Sequence, residues 1–173
     1  LMVRIAPLLT HTPQVATVVF SIGVLTAFLA ATMALVEYDI KRILAFSTVS
    51  QLGFMMAAVG AGGAEAAYFH LVTHAFFKAL LFLAAGSLIH AVHTNDIFKM
   101  GRLTRVMPVT SACFAAGALA LSGVFPTAGF FSKDEVLAAV LAGGHPIGFA
   151  ILVVTAGTTA FYIGRAFFVA MMG

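Results

Sequence analysis

The sequence predicts an all-α membrane protein with five transmembrane helices, of which the fourth is discontinuous. Hydrophobic residues make up 62% of the 173 residues and charged residues only 9%, whereas a soluble domain usually carries about 25% charged residues. The few charges divide the chain into five apolar segments. Each uninterrupted segment is long enough to cross about 30 Å of hydrocarbon as a helix. Barrel strands are disfavoured, because they are only about ten residues long.

The five segments follow one another with short polar connections. The predicted spans of this single membrane module, 1–173, cover about residues 14–36, 43–59, 66–92, 108–142 and 147–171. The fourth begins at Pro108, and proline is favourable in the first turn of a helix. It is broken near 122–131, where Gly123, Pro126 and Gly129 interrupt the apolar run.

Composition also excludes several kinds of site. The net charge of +3 is too small and too scattered for nucleic-acid binding. Cys113 is the only cysteine, which excludes an internal disulfide and a cysteine-based metal cluster. We therefore expect no cofactor and no metal. The chain begins at Leu1, without an initiator methionine or a signal-peptide pattern, so we expect an internal piece of a longer protein.

Basic residues are concentrated on one side of the predicted membrane. With five spans the termini lie on opposite sides, and six basic residues fall on the side opposite Leu1: Lys41, Arg42, Lys99, Arg102, Arg105 and Arg165. Only Arg4 stays on the side of Leu1. Because cytoplasmic loops carry the excess of lysine and arginine, the N-terminus is predicted to lie on the outer side.

Two polar groups near the start of the second segment are expected to support the helices. The first consists of loop charges that anchor helix ends: Glu37, Asp39, Lys41 and Arg42. The second lies on one helical face and is expected to form helix-packing contacts, with water binding as the alternative: Ser47, Ser50 and Gln51.

The third segment carries the first candidate site. Lys78 lies about twelve residues from either end, and a lysine at this depth costs roughly 2.5–3.5 kcal/mol on insertion scales. His70 and His74 precede it at four-residue spacing, which places all three on one helical face. Such a row of titratable groups is suited to proton hopping. As alternatives, the histidines could hydrogen-bond across helices or bind metal or haem, and Lys78 could be structural.

The second candidate site follows the break in the fourth segment. Ser132 and Glu135 have the spacing of a capping box, so Ser132 is predicted to begin a half-helix. Broken helices inside membranes mark transport sites. Lys133, at the unfavourable positive end of this half-helix, is predicted to release protons, with Asp134 as an electrostatic switch. An interfacial ion pair between Lys133 and Asp134 is the alternative.

Three longer motifs resemble the antiporter-like subunits of respiratory complex I. In chain order they are DIKRILAFSTVSQLG at 39–53, FHLVTHAFFKALLF at 69–82 and AGFFSKDE at 128–135. The nearest branch is the large distal L-type, or mitochondrial fifth-subunit type, because the middle homologue carries a glutamate at the position of Lys133. The sequence is also similar to the related membrane subunit of multisubunit cation/proton antiporters and to membrane subunits of energy-converting hydrogenases.

The resemblance implies one half of an inverted-repeat antiporter-like fold, since the five predicted spans match the second of two five-helix repeats. In such proteins the lysine matching Lys78 is the central relay, and the histidines matching His70 and His74 connect it. The lysine matching Lys133 is the terminal donor near the exit to the positive side. The expected function is proton translocation by a subunit, without a redox centre of its own, of an NADH:quinone oxidoreductase.

The implied partners are the other membrane subunits of a respiratory complex in a bacterial or mitochondrial inner membrane. Two alternatives remain open. One is a subunit of a cation/proton antiporter or energy-converting hydrogenase, with sodium as a second candidate ion. The other is a structural membrane module that conducts nothing, in which case neutralising Lys78 leaves transport intact.

Overall fold

Helices account for almost the whole chain. The computed structural model describes the backbone of all 173 residues and every side chain except that of Thr10. Over these residues eight α-helices and one 3-10 turn, Ile97–Lys99, follow in order: α1 Met2–Thr10, α2 Pro13–Val36, α3 Ile40–Gly60, α4 Ala64–Val92, α5 Leu103–Val106, α6 Pro108–Ser122, α7 Ala128–Ala142 and α8 Pro146–Met172. The predicted all-α class is confirmed.

Four of these helices, α2, α3, α4 and α8, are long and apolar enough to cross a membrane. The other two long elements, α6 and α7, contain 15 residues each. A helix of that length rises about 22 Å, which is short of the hydrocarbon thickness. Between them the chain turns through Gly123, whose φ of +76° is the left-handed conformation typical of a helix C-terminus.

Charges at the α2–α3 connection anchor helix ends, as predicted. Asp39 caps α3, because its carboxylate accepts the backbone N–H groups of Lys41 at 2.8 Å and Arg42 at 3.1 Å. Glu37 forms an ion pair of 3.2 Å with the Arg42 guanidinium. Its backbone carbonyl also accepts a hydrogen bond from Arg165 of α8. The connection therefore ties α2, α3 and α8 together at one end.

Small residues let α2 and α3 approach to backbone contact. A Cβ atom at Gly53 would lie 2.5 Å from the backbone nitrogen of Ala27, and one at Gly23 would lie 2.5 Å from that of Ala57. Because lipid tails are as apolar as leucine side chains, membrane helices associate through such close packing of small residues. The face shared by α2 and α3 therefore tolerates no larger side chain at these two glycines.

We expect Gly53→Ala to lower the midpoint of thermal unfolding of the protein in detergent. The added methyl group would overlap the α2 backbone, and overpacking of this kind costs about 1–3 kcal/mol. Gly157→Ala in α8 is the matched control, since nothing lies within 4 Å of the position that its Cβ would occupy. That change removes only the cost of glycine relative to alanine within a helix, about 0.8–1.0 kcal/mol, so it should not lower the midpoint. An unchanged midpoint for Gly53→Ala would contradict the close approach.

The buried side chains form two apolar clusters with polar residues between them. One cluster contains Leu44, Leu81 and Tyr162, and the other contains Phe54 and Leu152. Between them, on α3, α4, α7 and α8, lies a set of buried polar side chains that we call the polar layer: Ser47, Ser50, Gln51, His70, His74, Lys78, Ser132, Lys133, Thr155 and Thr159. The gap between α6 and α7 lies at the same level, because apolar packing ends at Leu121 and resumes at Val136.

Candidate functional site

Lys78 reaches from α4 to α3 within the polar layer. Its ammonium donates hydrogen bonds to Ser47 Oγ at 2.6 Å and to the Leu44 carbonyl at 2.9 Å. Nζ also lies 5.8 Å from the centroid of the Phe82 ring, within the range of a cation–π contact. Only 5% of Lys78 is exposed, and no described carboxylate forms an ion pair with it. Because its partners are neutral, no ion pair holds the Lys78 side chain in the charged form.

His70 joins three helices through its two ring nitrogens. From α4, Nδ1 lies 2.9 Å from Ser132 Oγ of α7, and Nε2 lies 3.0 Å from Gln51 Oε1 of α3. Thr73, one turn after His70, donates a hydrogen bond of 2.8 Å to Ser132 Oγ. His70, Gln51 and Ser132 are all fully buried. Both ring nitrogens of His70 are therefore satisfied by neutral side chains.

His74 lies between His70 and Lys78 on α4, but it is held differently. Its ring centroid is 6.1 Å from that of His70 and 5.3 Å from that of Phe77, which it meets edge to face. Its Nε2 is buried and has no hydrogen-bond partner among the described residues. No cluster of three or more metal-ligating side chains occurs among those residues either. The predicted row of His70, His74 and Lys78 therefore consists of separate groups that are not joined to one another by hydrogen bonds.

Lys133 extends from α7 back to the end of α6. Its ammonium donates a hydrogen bond of 2.5 Å to the Leu121 carbonyl, and the Phe54 ring centroid lies 6.0 Å from Nζ. Leu121 lies in the last turn of α6, whose carbonyls lack helical partners and form the negative end of the helix dipole. The prediction of an unfavourable dipole position for Lys133 is wrong, because its charge lies at the favourable end of another helix.

The prediction that Ser132 begins the half-helix is also wrong. The helix α7 begins at Ala128, after Thr127, so Ser132 lies in its second turn. Its hydroxyl contacts His70 and Thr73 instead of capping the backbone. The first turn of α7 is packed against α6, where Gly129 lies so close to the Ala120 carbonyl that any Cβ atom would collide with it. The start of the helix is set by this contact between helices.

The predicted contact between Lys133 and Asp134 is not formed. Lys133 faces the protein interior, whereas Asp134 lies on the exposed face of α7. Successive residues of a helix point about 100° apart and do not face each other. Among the described side chains the ion pairs are Arg42–Glu37 and Lys99–Asp96. The electrostatic switch assigned to Asp134 therefore has no support within this chain.

The polar residues of α3 have two kinds of contact, one with a packed helix and the other with the candidate site. Ser50 donates to the Ala27 carbonyl at 2.8 Å, which is the helix-packing contact that its position predicts. Ser47 and Gln51 contact Lys78 and His70 instead. Thr73 was missed by sequence reasoning altogether. Its position three residues after His70, on the same side of an apolar helix, was the available signal.

Comparison with known proteins identifies the family of the chain. The family described as NADH:quinone oxidoreductase/Mrp antiporter, transmembrane, matches residues 1–159. Over its whole length the chain is 48% identical to NADH-quinone oxidoreductase subunit L of Escherichia coli K12 and 44% identical to NAD(P)H-quinone oxidoreductase subunit 5 of Paulinella chromatophora. It spans 28% and 27% of the length of these two relatives.

A solved structure has the same fold. A chain in the structure of the Mrp complex from Dietzia sp. DQ12-45-1b superposes with a TM-score of 0.87 at 27% identity, over 93% of this chain and 31% of that one. The resemblance to the antiporter-like subunits, and to their L-type branch, is thereby confirmed. On the strength of a match that covers nearly all of its residues, the chain belongs to the NADH:quinone oxidoreductase/Mrp antiporter transmembrane family.

Proposed function

We propose that this chain is the proton-translocating second repeat of an L-type subunit of NADH:quinone oxidoreductase. The observation that carries the proposal is Lys78, which lies in the polar layer with only neutral hydrogen-bond partners. A buried amine of this kind takes up a proton and gives it away without leaving a carboxylate unpaired. His70, His74 and Lys133 share the layer and provide further groups for proton transfer.

In this proposal α6 and α7 together form the fourth of five transmembrane helices, which is therefore discontinuous. Each half is too short to cross a membrane alone, and the gap between them lies at the level of the polar layer. Lys133 bridges the gap through its hydrogen bond to Leu121. Interrupted backbone is tolerated at membrane depth where it is buried in protein or lines a cavity.

The N-terminus lies on the outer, positive side of a bacterial or mitochondrial inner membrane in this proposal. Support comes from the basic residues outside the middle of the spans, of which six are predicted to lie on the opposite side of the membrane and only Arg4 on the side of Leu1. Protons leave toward that outer side through Lys133. Because Asp134 is exposed, it acts at the exit only through a contact with a group outside this chain.

In this proposal, energy for the transport comes from partner subunits that oxidise NADH with quinone. Moving one proton against 100 mV requires about 2.3 kcal/mol. A second candidate function, in a multisubunit cation/proton antiporter, is favoured by the structural likeness to the Mrp complex chain. There a sodium gradient replaces NADH as the driving force.

The two functions are separated by isolating the full-length protein with its native partners in inverted membrane vesicles. We expect iron–sulfur and flavin subunits to co-purify, and NADH to drive proton uptake that a protonophore abolishes. Co-purification with small hydrophobic subunits alone, and proton uptake driven by sodium but not by NADH, would instead establish the antiporter.

A further inference from the structure

The hydrogen bonds around His70 restrict where its ring exchanges protons. Nε2 faces the amide oxygen of Gln51, which accepts a hydrogen bond but is too weak a base to carry a proton. Nδ1 faces the hydroxyl of Ser132, which both donates and accepts. With the Gln51 amide oriented so that Oε1 faces the ring, Nε2 of the neutral ring carries the hydrogen and Nδ1 accepts one from Ser132.

The same contacts serve the protonated ring. An imidazolium donates from both nitrogens, so it needs an acceptor on each side. Gln51 Oε1 already accepts from Nε2, and Ser132 Oγ becomes an acceptor when its hydroxyl rotates. Both charge states are thus satisfied without movement of a helix, which is a property expected of a group that changes charge during turnover.

Thr73 lets the serine hydroxyl rotate. Its oxygen lies 2.8 Å from Ser132 Oγ and 3.1 Å from the His70 carbonyl, and its single hydrogen is donated to only one of them at a time. The rings of Phe77 and His74 also lie near His70, with centroids 6.4 Å and 6.1 Å from that of its ring. Three consecutive hydrogen bonds therefore link Thr73 to Ser132, Ser132 to His70 and His70 to Gln51. They connect α4 to both α7 and α3.

We propose that Gln51 is a positioning residue that holds His70 in one tautomer, and that Ser132 transfers the proton that His70 exchanges at Nδ1. The inference rests on the proposed function. As Nδ1–H forms, the Oγ–H bond of Ser132 breaks and Oγ takes a proton from a hydronium ion of the transport path, which becomes water. The reverse step returns the proton.

The test uses the full-length protein in its assembled complex, with proton uptake per NADH oxidised as the readout. Ser132→Ala should lower uptake about tenfold, below the usual 10²–10⁴-fold range for losing a positioned proton-transfer group, because water replaces part of the path. Ser132→Thr keeps the hydroxyl and should retain at least about half of the uptake. Ser111→Ala is the control and should pump like the parent. Ser111 is a buried serine of α6 that donates a hydrogen bond to Met171 Sδ and lies outside the polar layer.

Double variants separate positioning from a general structural role. If Ser132 and Gln51 act through His70, then adding Ser132→Ala or Gln51→Met to His70→Asn should cause no further loss. Additive losses would overturn the proposal, as would parental uptake by Ser132→Ala. Lys78→Met is the reference variant. Normal proton uptake by Lys78→Met would refute the proposed function itself. If Lys78→Met loses uptake while Ser132→Ala remains fully active, only this inference is overturned.

Discussion

Lys78→Met is expected to abolish proton uptake by the intact complex while assembly stays normal. Methionine matches the length of the lysine stem, but it has no group that binds a proton. The lost hydrogen bonds to Ser47 and Leu44 are worth about 1.5–3 kcal/mol each for a charged donor. Removing the lysine also removes an insertion cost of roughly 2.5–3.5 kcal/mol, which offsets part of this loss.

Uptake is measured in inverted vesicles, with complex content checked on native gels. Lys99→Met is the matched control, because Lys99 is an exposed lysine that is paired at 3.9 Å with Asp96 at one end of the bundle. That variant should pump normally. His74→Ala should cause a smaller loss, since water can take the place of a ring whose Nε2 has no partner. Full uptake by Lys78→Met would exclude the relay and favour a purely structural module.

Lys133→Arg and Lys133→Ala are both expected to abolish proton uptake. Arginine keeps the positive charge and the ability to donate to the Leu121 carbonyl, which accepts a hydrogen bond from Lys133 in the parent. It does not release its proton at any accessible pH, however. Alanine removes both the charge and the hydrogen bond. The pair of variants therefore distinguishes a lysine that transfers protons from one that only holds α6 and α7 together.

An anchoring role predicts a different pattern, in which Lys133→Arg pumps like the parent and only Lys133→Ala fails. Lys41→Arg provides the matched control for the chemical change, because Lys41 is exposed in the first turn of α3. Thermal unfolding in detergent should be recorded for each variant. A loss of uptake by Lys133→Arg counts as a transport defect only if its unfolding midpoint stays near that of the parent.

Local sequence determined the helices and the spacing along each of them. The helical segments follow from continuous apolar runs interrupted by charges, glycine and proline, and these signals act within a few residues of the chain. The common face of His70, His74 and Lys78 follows from helical periodicity alone. The helix cap at Asp39 is local in the same way, since its partners are the backbone N–H groups of Lys41 and Arg42 in the first turn of α3.

Tertiary structure decided which partners these residues meet. The spacing of Ser132 and Glu135 suits a capping box, but the contact of Gly129 with Ala120 lets α7 begin one turn earlier. Ser132 is thereby free to bind His70, a residue 62 positions away in the sequence. The packing of the helices also decides that Lys133 meets the Leu121 carbonyl and that Asp134 is exposed. Contacts between distant helices depend on how the helices pack, and local spacing carries no information about that packing.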